Sequence, residues 1–420
     1  MLPEEKALKE TKIPFVLFMC FMASFFLHIP DRLPFLGIFR IDLLLVVFTF
    51  MLIIKVKTNE KSVSKVAYYL KILFIYVLVS LPFVTWPGTA IGKGLPNLIK
   101  ASVFFFFTYR LVLNEERLKM MVYLFIVVNS LRVIEPLVLH FTTGYWGSHT
   151  TFGDDQTDRL SGAPNDVIGP NGLAFVIATL LPFYHYLLGT GKYKAKLLYI
   201  LILPIFMVTM ALTLSRTGIL AVAIIYGVIF LKSKKKFLLI IAGTIGILGF
   251  FHSLNDVQQD RYLSIFSSDT KSSSTAEGRI NSWSKYYSVA MVKPIFGHGL
   301  GASKEAMWNF GGHAQLAHNL WMEIAQELGL IGLIIFILYA KEIYKGFKIT
   351  NEKVTNNSSA SPFLKACLPA MQAWLIMNFL FSFASYGLTS YEWYLFGGFS
   401  AAIARVALST KSALSDQQKN

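Results

Sequence analysis

Apolar and polar positions along this chain alternate in long blocks, not in the short periods of an amphipathic fold. Apolar runs close to the roughly 20 residues that cross a hydrocarbon core recur at 14–29, 41–55, 68–84, 98–113, 118–140, 172–189, 195–212, 216–232, 237–252, 319–340, 366–386 and 391–408. They predict about twelve membrane-spanning helices in a single integral membrane domain covering residues 1–420. Two of the polar blocks between them are too long for simple turns. Residues 141–171 are dense in Gly, Pro, Asn and Asp, and residues 253–317 form the longest polar stretch of the chain. Loops of that length usually carry function. Within the second, Trp283, Tyr286, Tyr287, Met291 and Ile295 recur at near-helical spacing, which predicts one or two amphipathic helices lying on a membrane face.

Composition fits this class: 54% of residues are apolar and 15% charged, and no soluble domain of this length could hide so much apolar surface. The lysines and arginines then orient the spans. They gather before span 1 (Lys6, Lys9, Lys12), after span 2 (Lys55, Lys57, Lys61, Lys65), after span 4 (Arg110, Arg117, Lys119) and after span 6 (Lys192, Lys194, Lys196). The same holds after spans 8, 10 and 12, whereas the opposite gaps are poor in cations and contain Asp154, Asp155 and Asp158. The positive-inside rule therefore puts both termini in the cytoplasm and residues 141–171 and 253–317 outside. The net charge of +15 is a topology signal and a headgroup contact, and nucleic acid is not expected as a partner. Glu4, Glu5 and Glu10 dilute the basic N-terminus and no cleavage site follows, so span 1 is expected to remain as a signal anchor. Cys20 and Cys367 both fall inside predicted spans, which argues against a disulfide framework or a thiolate metal site.

The candidate chemistry sits at the outer ends of the spans. Arg216, in TLSRTGIL, joins spans 7 and 8 with almost no loop, and a permanent cation at the bilayer edge is costly unless hydrated or paired. It serves either as a snorkelling anchor or as a rigid fork for phosphate oxygens. Arg279 opens the amphipathic stretch, as a solvated helix-end residue or as a second anion contact. His318 precedes span 10 with Asn319 beside it, which places an imidazole at headgroup depth, as a helix-end hydrogen-bonding group or as a proton acceptor. His298 and His313 lie nearby, but their spacing lacks a carboxylate second shell, so no metal is expected. The G-H-G-L-G run at 297–301 has no preceding strand and is expected to be a tight turn, not a nucleotide loop. Arg132 and Glu135, one turn apart in span 5, read as a self-neutralising structural pair.

Leu214–Gly218 (LSRTG), Gly278–Trp283 (GRINSW), Pro294–Gly301 (PIFGHGLG) and His318–Gly332 (HNLWMEIAQELGLIG) follow one another in an order that resembles the core of the O-antigen ligase and polysaccharide polymerase superfamily. Arg159–Asn171 is similar to the loop that precedes this core in many members. The resemblance implies a glycosyltransferase with a GT-C-type fold and a large external helical loop, in the bacterial inner membrane with its active site facing the periplasm. It implies a donor glycan on undecaprenyl diphosphate and an acceptor sugar on a lipid-linked repeat unit, for a polymerase, or on the lipopolysaccharide core, for a ligase. The long external segments, with Trp146, Trp283 and Trp308, favour the polymerase. By the same resemblance Arg216 and Arg279 engage the diphosphate and His318 is the essential histidine, with Arg159, Asn319 and His313 as secondary candidates. No cofactor is implied, and a chain-length regulator is a conceivable partner. A reading from another class, a secondary transporter or lipid-glycan flippase, shares the twelve-span layout and would place Arg216 in a central cavity. Two transporter halves should show related helix breaks, whereas polar residues here concentrate in one external loop.

The orientation is directly testable. Cysteine introduced at Ser272 is expected to react with an impermeant thiol reagent in intact cells with a permeabilised outer barrier, and labelling only after lysis would invert the assignment.

Overall fold

The computed structural model of the chain describes residues 3–56, 64–152, 155–252, 259, 262, 274–312, 318–385 and 387–417. Fourteen principal helices follow the short N-terminal helix Pro3–Glu10. They are α1 (Lys12–Leu27), α2 (Ile41–Ile54), α3 (Lys65–Ser80), α4 (Leu95–Leu111), α5 (Glu115–Thr143), α6 (Pro170–Phe183) and α7 (Tyr193–Leu212). Then come α8 (Arg216–Lys232), α9 (Lys236–His252), α10 (Ser274–Val292), α11 (Ser303–Gly311), α12 (Leu320–Thr355), α13 (Pro362–Phe381) and α14 (Tyr391–Gln417). Each of the twelve apolar segments falls on one of these helices. Among the described residues, six helical stretches are long and apolar enough to cross a membrane: Lys65–Phe83, Glu115–Thr143, Pro170–Gly189, Tyr193–Leu212, Leu320–Thr355 and Pro362–Phe381. The protein is thus a helical polytopic membrane protein. Ser272, the labelling position, lies outside the described residues.

Local chemistry sets the helix ends. Asn114, Ser215, Asn319 and Ser361 each accept a hydrogen bond from a backbone N–H two or three residues on, answering donors that a first turn leaves open. The core between helices is aromatic: Phe26 meets Phe125 at 5.3 Å between ring centroids, Phe125 meets Trp374 at 5.0 Å, and Trp374 meets Phe396 at 4.3 Å. Such offset and edge-on pairs add to the packing of area alone. Conversely Leu198, Ile200 and Leu201 on α7 and Phe237, Leu238 and Leu248 on α9 are exposed, as a lipid-facing surface requires.

Two of the polar stretches gain detail in these elements. The polar stretch after α5 is not plain loop: Gly147–Phe152 (β1) and Asp155–Leu160 (β2) pair antiparallel, with Ser148 opposite Arg159. Threonines at 150, 151 and 157 favour extended backbone, but the strands are too short and too polar to announce themselves. In α10 the inward face is Tyr286, Val289 and Ala290, whereas Trp283 and Tyr287 are exposed, as is Ile295 beyond its end.

The pairing of Arg132 with Glu135 is overturned. Both lie on α5, yet Arg132 turns inward and gives Nε and Nη2 to the two oxygens of Asp166, each at 2.9 Å. Glu135 instead receives both terminal nitrogens of Arg32 at 2.7 Å. Asp166 is fully buried, with His28 Nδ1 3.2 Å from its Oδ1. Its carboxyl lies below the ordinary range: burial alone would raise it, and the His28 and Arg132 contacts outweigh that. These bonds fasten the segment Arg159–Asn171 to the side of α5.

The Asp166 pair yields a prediction with a defined pH window. Asp166→Asn strands a guanidinium only 5% exposed and is expected to destabilise the folded protein by about 3–5 kcal/mol, read as thermal unfolding in detergent. Because the folded carboxyl titrates low, its contribution is complete above the unfolded value of about 3.9 and fades as pH falls through the folded value. The gap between wild type and variant should therefore stay constant near neutrality and close only below about pH 4.

Candidate active site

One end of the bundle collects the polar chemistry. Arg159, at the end of β2, is 9% exposed; its Nε donates to the Thr213 carbonyl at 3.0 Å and its Nη2 to Asn171 Oδ1 at 2.9 Å. The same Asn171 oxygen accepts from Ser215 Oγ at 2.9 Å, and Ser215 Oγ accepts from Gly218 N at 3.1 Å. Leu214, just before, is held at φ 48°, a conformation that costs a side-chain-bearing residue free energy and persists only where its surroundings enforce it. The buried Leu214 and Tyr262 pack together beside it. Arg216 is thus the first residue of α8, at the positive end of the helix dipole. Burial lowers the Arg159 pKa to about 10, with Tyr262 opposing the fall and Arg216 adding to it. The Arg159 guanidinium stays cationic at neutral pH. A helix N-terminus beside two guanidinium groups is an arrangement that can receive an anion.

Across from this cluster lies the start of α12. Asn319, 2% exposed, is its N-cap and accepts from Trp321 N at 3.0 Å and Met322 N at 3.2 Å; its side chain serves the helix, which accounts for its place beside His318. Leu320 N donates to the Ser382 carbonyl at 2.8 Å, so the half-buried His318 is carried to the end of α13. A cavity of about 200 Å³ opens between the two groups, with Asn171 on one wall and Leu320 and Ser382 on another. Arg279 lies in α10 about two turns before Tyr286, and α10 is tied to α12 by Gln326 Nε2 donating to the Tyr286 carbonyl at 3.1 Å. The side chain of Arg279, and His313 altogether, lie outside the described residues.

The glycine-rich run is a turn, and its partner is a break in α12. Gly297, Gly299 and Gly301 all have positive φ, as does Gly329, where α12 kinks. A Cβ on Gly329 would fall on the Ile295 carbonyl, and one on Gly297 would lie 2.5 Å from the Glu327 carbonyl oxygen. Only glycine admits this approach. His298 N donates to the Gln326 carbonyl at 2.7 Å, Gly299 N to the Glu327 carbonyl at 3.0 Å, and Gly301 N to Glu327 Oε2 at 2.7 Å. The segments Pro294–Gly301 and His318–Gly332 singled out above are therefore one structural unit. His298 belongs to it as a buried strut, with Nδ1 3.1 Å from Thr85 Oγ1 and Nε2 2.9 Å from the Val289 carbonyl; burial pulls its pKa down. With both ring nitrogens so engaged, it is not placed to ligate. No cluster of three or more metal-ligating side chains occurs among the described residues.

Sequence reading missed Asn171 as the hub of the arginine cluster, and missed Asn378 and Glu392, which also line the cavity. Asn171 sits within a segment already singled out, whereas the other two belong to no motif. The turn predicts a sharp contrast between glycines. Gly329→Ala is expected to lower stability by at least about 1–3 kcal/mol and to displace the start of α12. Gly227→Ala, in α8 with open space around it, should be neutral or stabilising by up to about 1 kcal/mol. Parallel thermal melts of the two variants check this.

No curated protein matches the chain. Residues 197–337 match the sequence profile of the O-antigen ligase family. The matched segment runs from the start of α7 through α8, α10 and the glycine turn into α12, and so contains Arg216, Arg279, His313, His318 and Asn319. Over that segment the chain is similar to the O-antigen ligase family, which supports its likeness to the O-antigen ligase and polymerase superfamily.

Proposed function

We propose that the chain transfers glycan from undecaprenyl diphosphate to a sugar hydroxyl at the outer leaflet of the bacterial inner membrane, polymerising lipid-linked repeat units. On this reading it is a GT-C-type enzyme of twelve spans with both termini in the cytoplasm and its site facing the periplasm. The observation that carries the proposal is the pair Arg159 and Arg216 at the N-terminus of α8, across a cavity of mixed polar and apolar lining from the helix that His318 precedes. Breaking the bond from the anomeric carbon to the diphosphate builds negative charge on the leaving group, and fixed guanidinium groups stabilise it without a metal. Arg279 would join them from α10. The acceptor hydroxyl is a poor nucleophile until its proton is taken, and His318 is the proposed base. In-line attack inverts the anomeric centre.

A lipid-linked substrate also finds support below the cavity. An apolar groove of about 580 Å³ between α12 and α13 runs from Trp321 to Tyr344, roughly 35 Å along a helix, comparable to the hydrocarbon core. It begins three residues from His318. A second reading, transfer to the lipopolysaccharide core, is favoured by the matched family's description as O-antigen ligase. Product analysis with defined lipid-linked repeats, with and without a core acceptor, separates the two: chain growth without core supports polymerisation, and products only with core support ligation. Translocation without any transfer in gradient-free vesicles would instead support a flippase.

The mechanism divides binding from proton removal. Arg216→Lys keeps the charge but loses the fork, and transfer should fall roughly 10²-fold or more with the protein still inserted. His318→Ala should keep donor binding and lose transfer by about 10²–10⁴-fold. Wild-type turnover should decline as acidification protonates the imidazole, ordinarily near about 6.5. Near-normal transfer by His318→Gln, which hydrogen-bonds but cannot take the proton, would sink the general-base role while sparing the glycosyltransferase reading.

A further inference from the structure

Three elements meet at one side-chain oxygen. Asn171 stands in the first turn of α6, Arg159 at the end of β2 and Ser215 at the N-cap of α8. Asn171 Oδ1 accepts from Arg159 Nη2 and from Ser215 Oγ, each at 2.9 Å. The two helices come close enough for this because small residues face each other one turn on: a Cβ on Gly218 would fall on that of Ala174. Ser215 Oγ also accepts from Gly218 N at 3.1 Å, so the hydroxyl that reaches Asn171 is itself fixed.

These contacts decide which way the amide faces. A guanidinium nitrogen only donates, so the atom that meets Arg159 is the oxygen and not the Nδ2 group. With Oδ1 taken, the planar amide holds Nδ2 on its other arm, with two N–H bonds to give. Among the described residues no protein atom accepts from it. Asn171 is exposed, on the wall of the cavity between the arginine cluster and α12. The charge of Arg159 against the oxygen polarises the amide and strengthens its N–H bonds as donors. An acceptor met by Nδ2 therefore lies in the field of Arg159, to which Arg216 is close. Of the groups that a lipid-linked sugar carries, a diphosphate oxygen answers this description, because it is charged and only accepts.

We propose that Asn171 has two tasks at this site: its oxygen positions Arg159, and its Nδ2 donates to an oxygen of the diphosphate. The identity of the anion rests on the glycosyltransferase reading above; the orientation of the amide does not. A neutral donor among guanidinium groups has its own use. It directs one phosphate oxygen without adding to the electrostatic grip that the departing product must escape.

The test uses the purified full-length chain in nanodiscs of neutral lipid, isotopically labelled at asparagine nitrogen, with farnesyl diphosphate as the probe and farnesol as the uncharged control. The side-chain NH2 signals of Asn171 are identified in NMR spectra by their loss in Asn171→Asp, or in Asn171→Ser if the first variant fails to insert. In the wild type they should move when the diphosphate is added and stay in place with farnesol. Asn171→Asp keeps an acceptor for Arg159 and Ser215 but loses the donor. Its thermal melt should match or exceed that of the wild type, while diphosphate binding weakens about 10–100-fold. Diphosphate binding that leaves the signals unmoved, or equal affinity in Asn171→Asp, overturns the donor role, and a wild type that still transfers glycan then keeps the enzyme reading. A wild type that binds no diphosphate overturns both. Signals that move in a wild type that transfers no glycan sink the enzyme reading and leave the anion contact standing.

Discussion

A charge inside a helix bundle must be met by another, and the fork that Arg132 extends to Asp166 sets the geometry of everything at this end of the molecule. Asp166 stands in the middle of the segment that begins at Arg159 and ends at Asn171. Fixing its carboxylate against α5 fixes both ends of a short chain, and both ends belong to the arginine cluster. A buried ion pair is weak evidence of net stability, but removing either partner is severe. Its value here is positional: a polar loop with little apolar surface of its own is held at a helix bundle by one bidentate contact.

The second constraint is steric. α12 carries His318 just before its first turn and then breaks at Gly329, where the Pro294–Gly301 turn enters. The break is what lets Gln326 and Glu327 present carbonyls sideways to His298 and Gly299 instead of closing a helical ladder. Glu327 then turns its own carboxylate on Gly301, and Glu323 receives the amides of Gly387 and Leu388 at 2.7 and 3.1 Å. The two carboxylates on this one helix thus tie it to two separate loops. That explains in physical terms why acidic residues follow the histidine at one-turn intervals: they brace the helix from which the histidine projects.

Much of the helical frame was legible because the bilayer leaves little choice. A backbone in hydrocarbon must satisfy its hydrogen bonds within a helix or closed barrel, so block length alone marked segments that all prove helical. Pairing was not legible. Helical spacing makes Arg132 and Glu135 neighbours, yet each turned to a partner 34 or 103 residues away, which periodicity does not encode. The hairpin escaped notice because its strands lack the alternating apolar face that marks a half-buried strand. Arg216 and His318 stood out through their abrupt position at span ends. Asn378 and Glu392 lie inside or at the edge of apolar spans and became visible only when two helix ends enclosed a common hollow.

The arrangement separates three kinds of chemistry within a short distance. Cations gather at the N-terminus of α8, polar side chains line part of the cavity, and apolar surface runs down between α12 and α13. Trp393 lines both the cavity and the apolar groove, so one side chain stands between a space with polar groups in its wall and a wholly apolar one. For a reaction between two substrates that each join sugar to lipid, this partition does more than recognise parts. On the proposed function it would keep the tails in the bilayer while the sugars meet above them, so that hydrophobic anchoring would supply the proximity of the reactants and the polar residues would need only to orient what the membrane had already brought together.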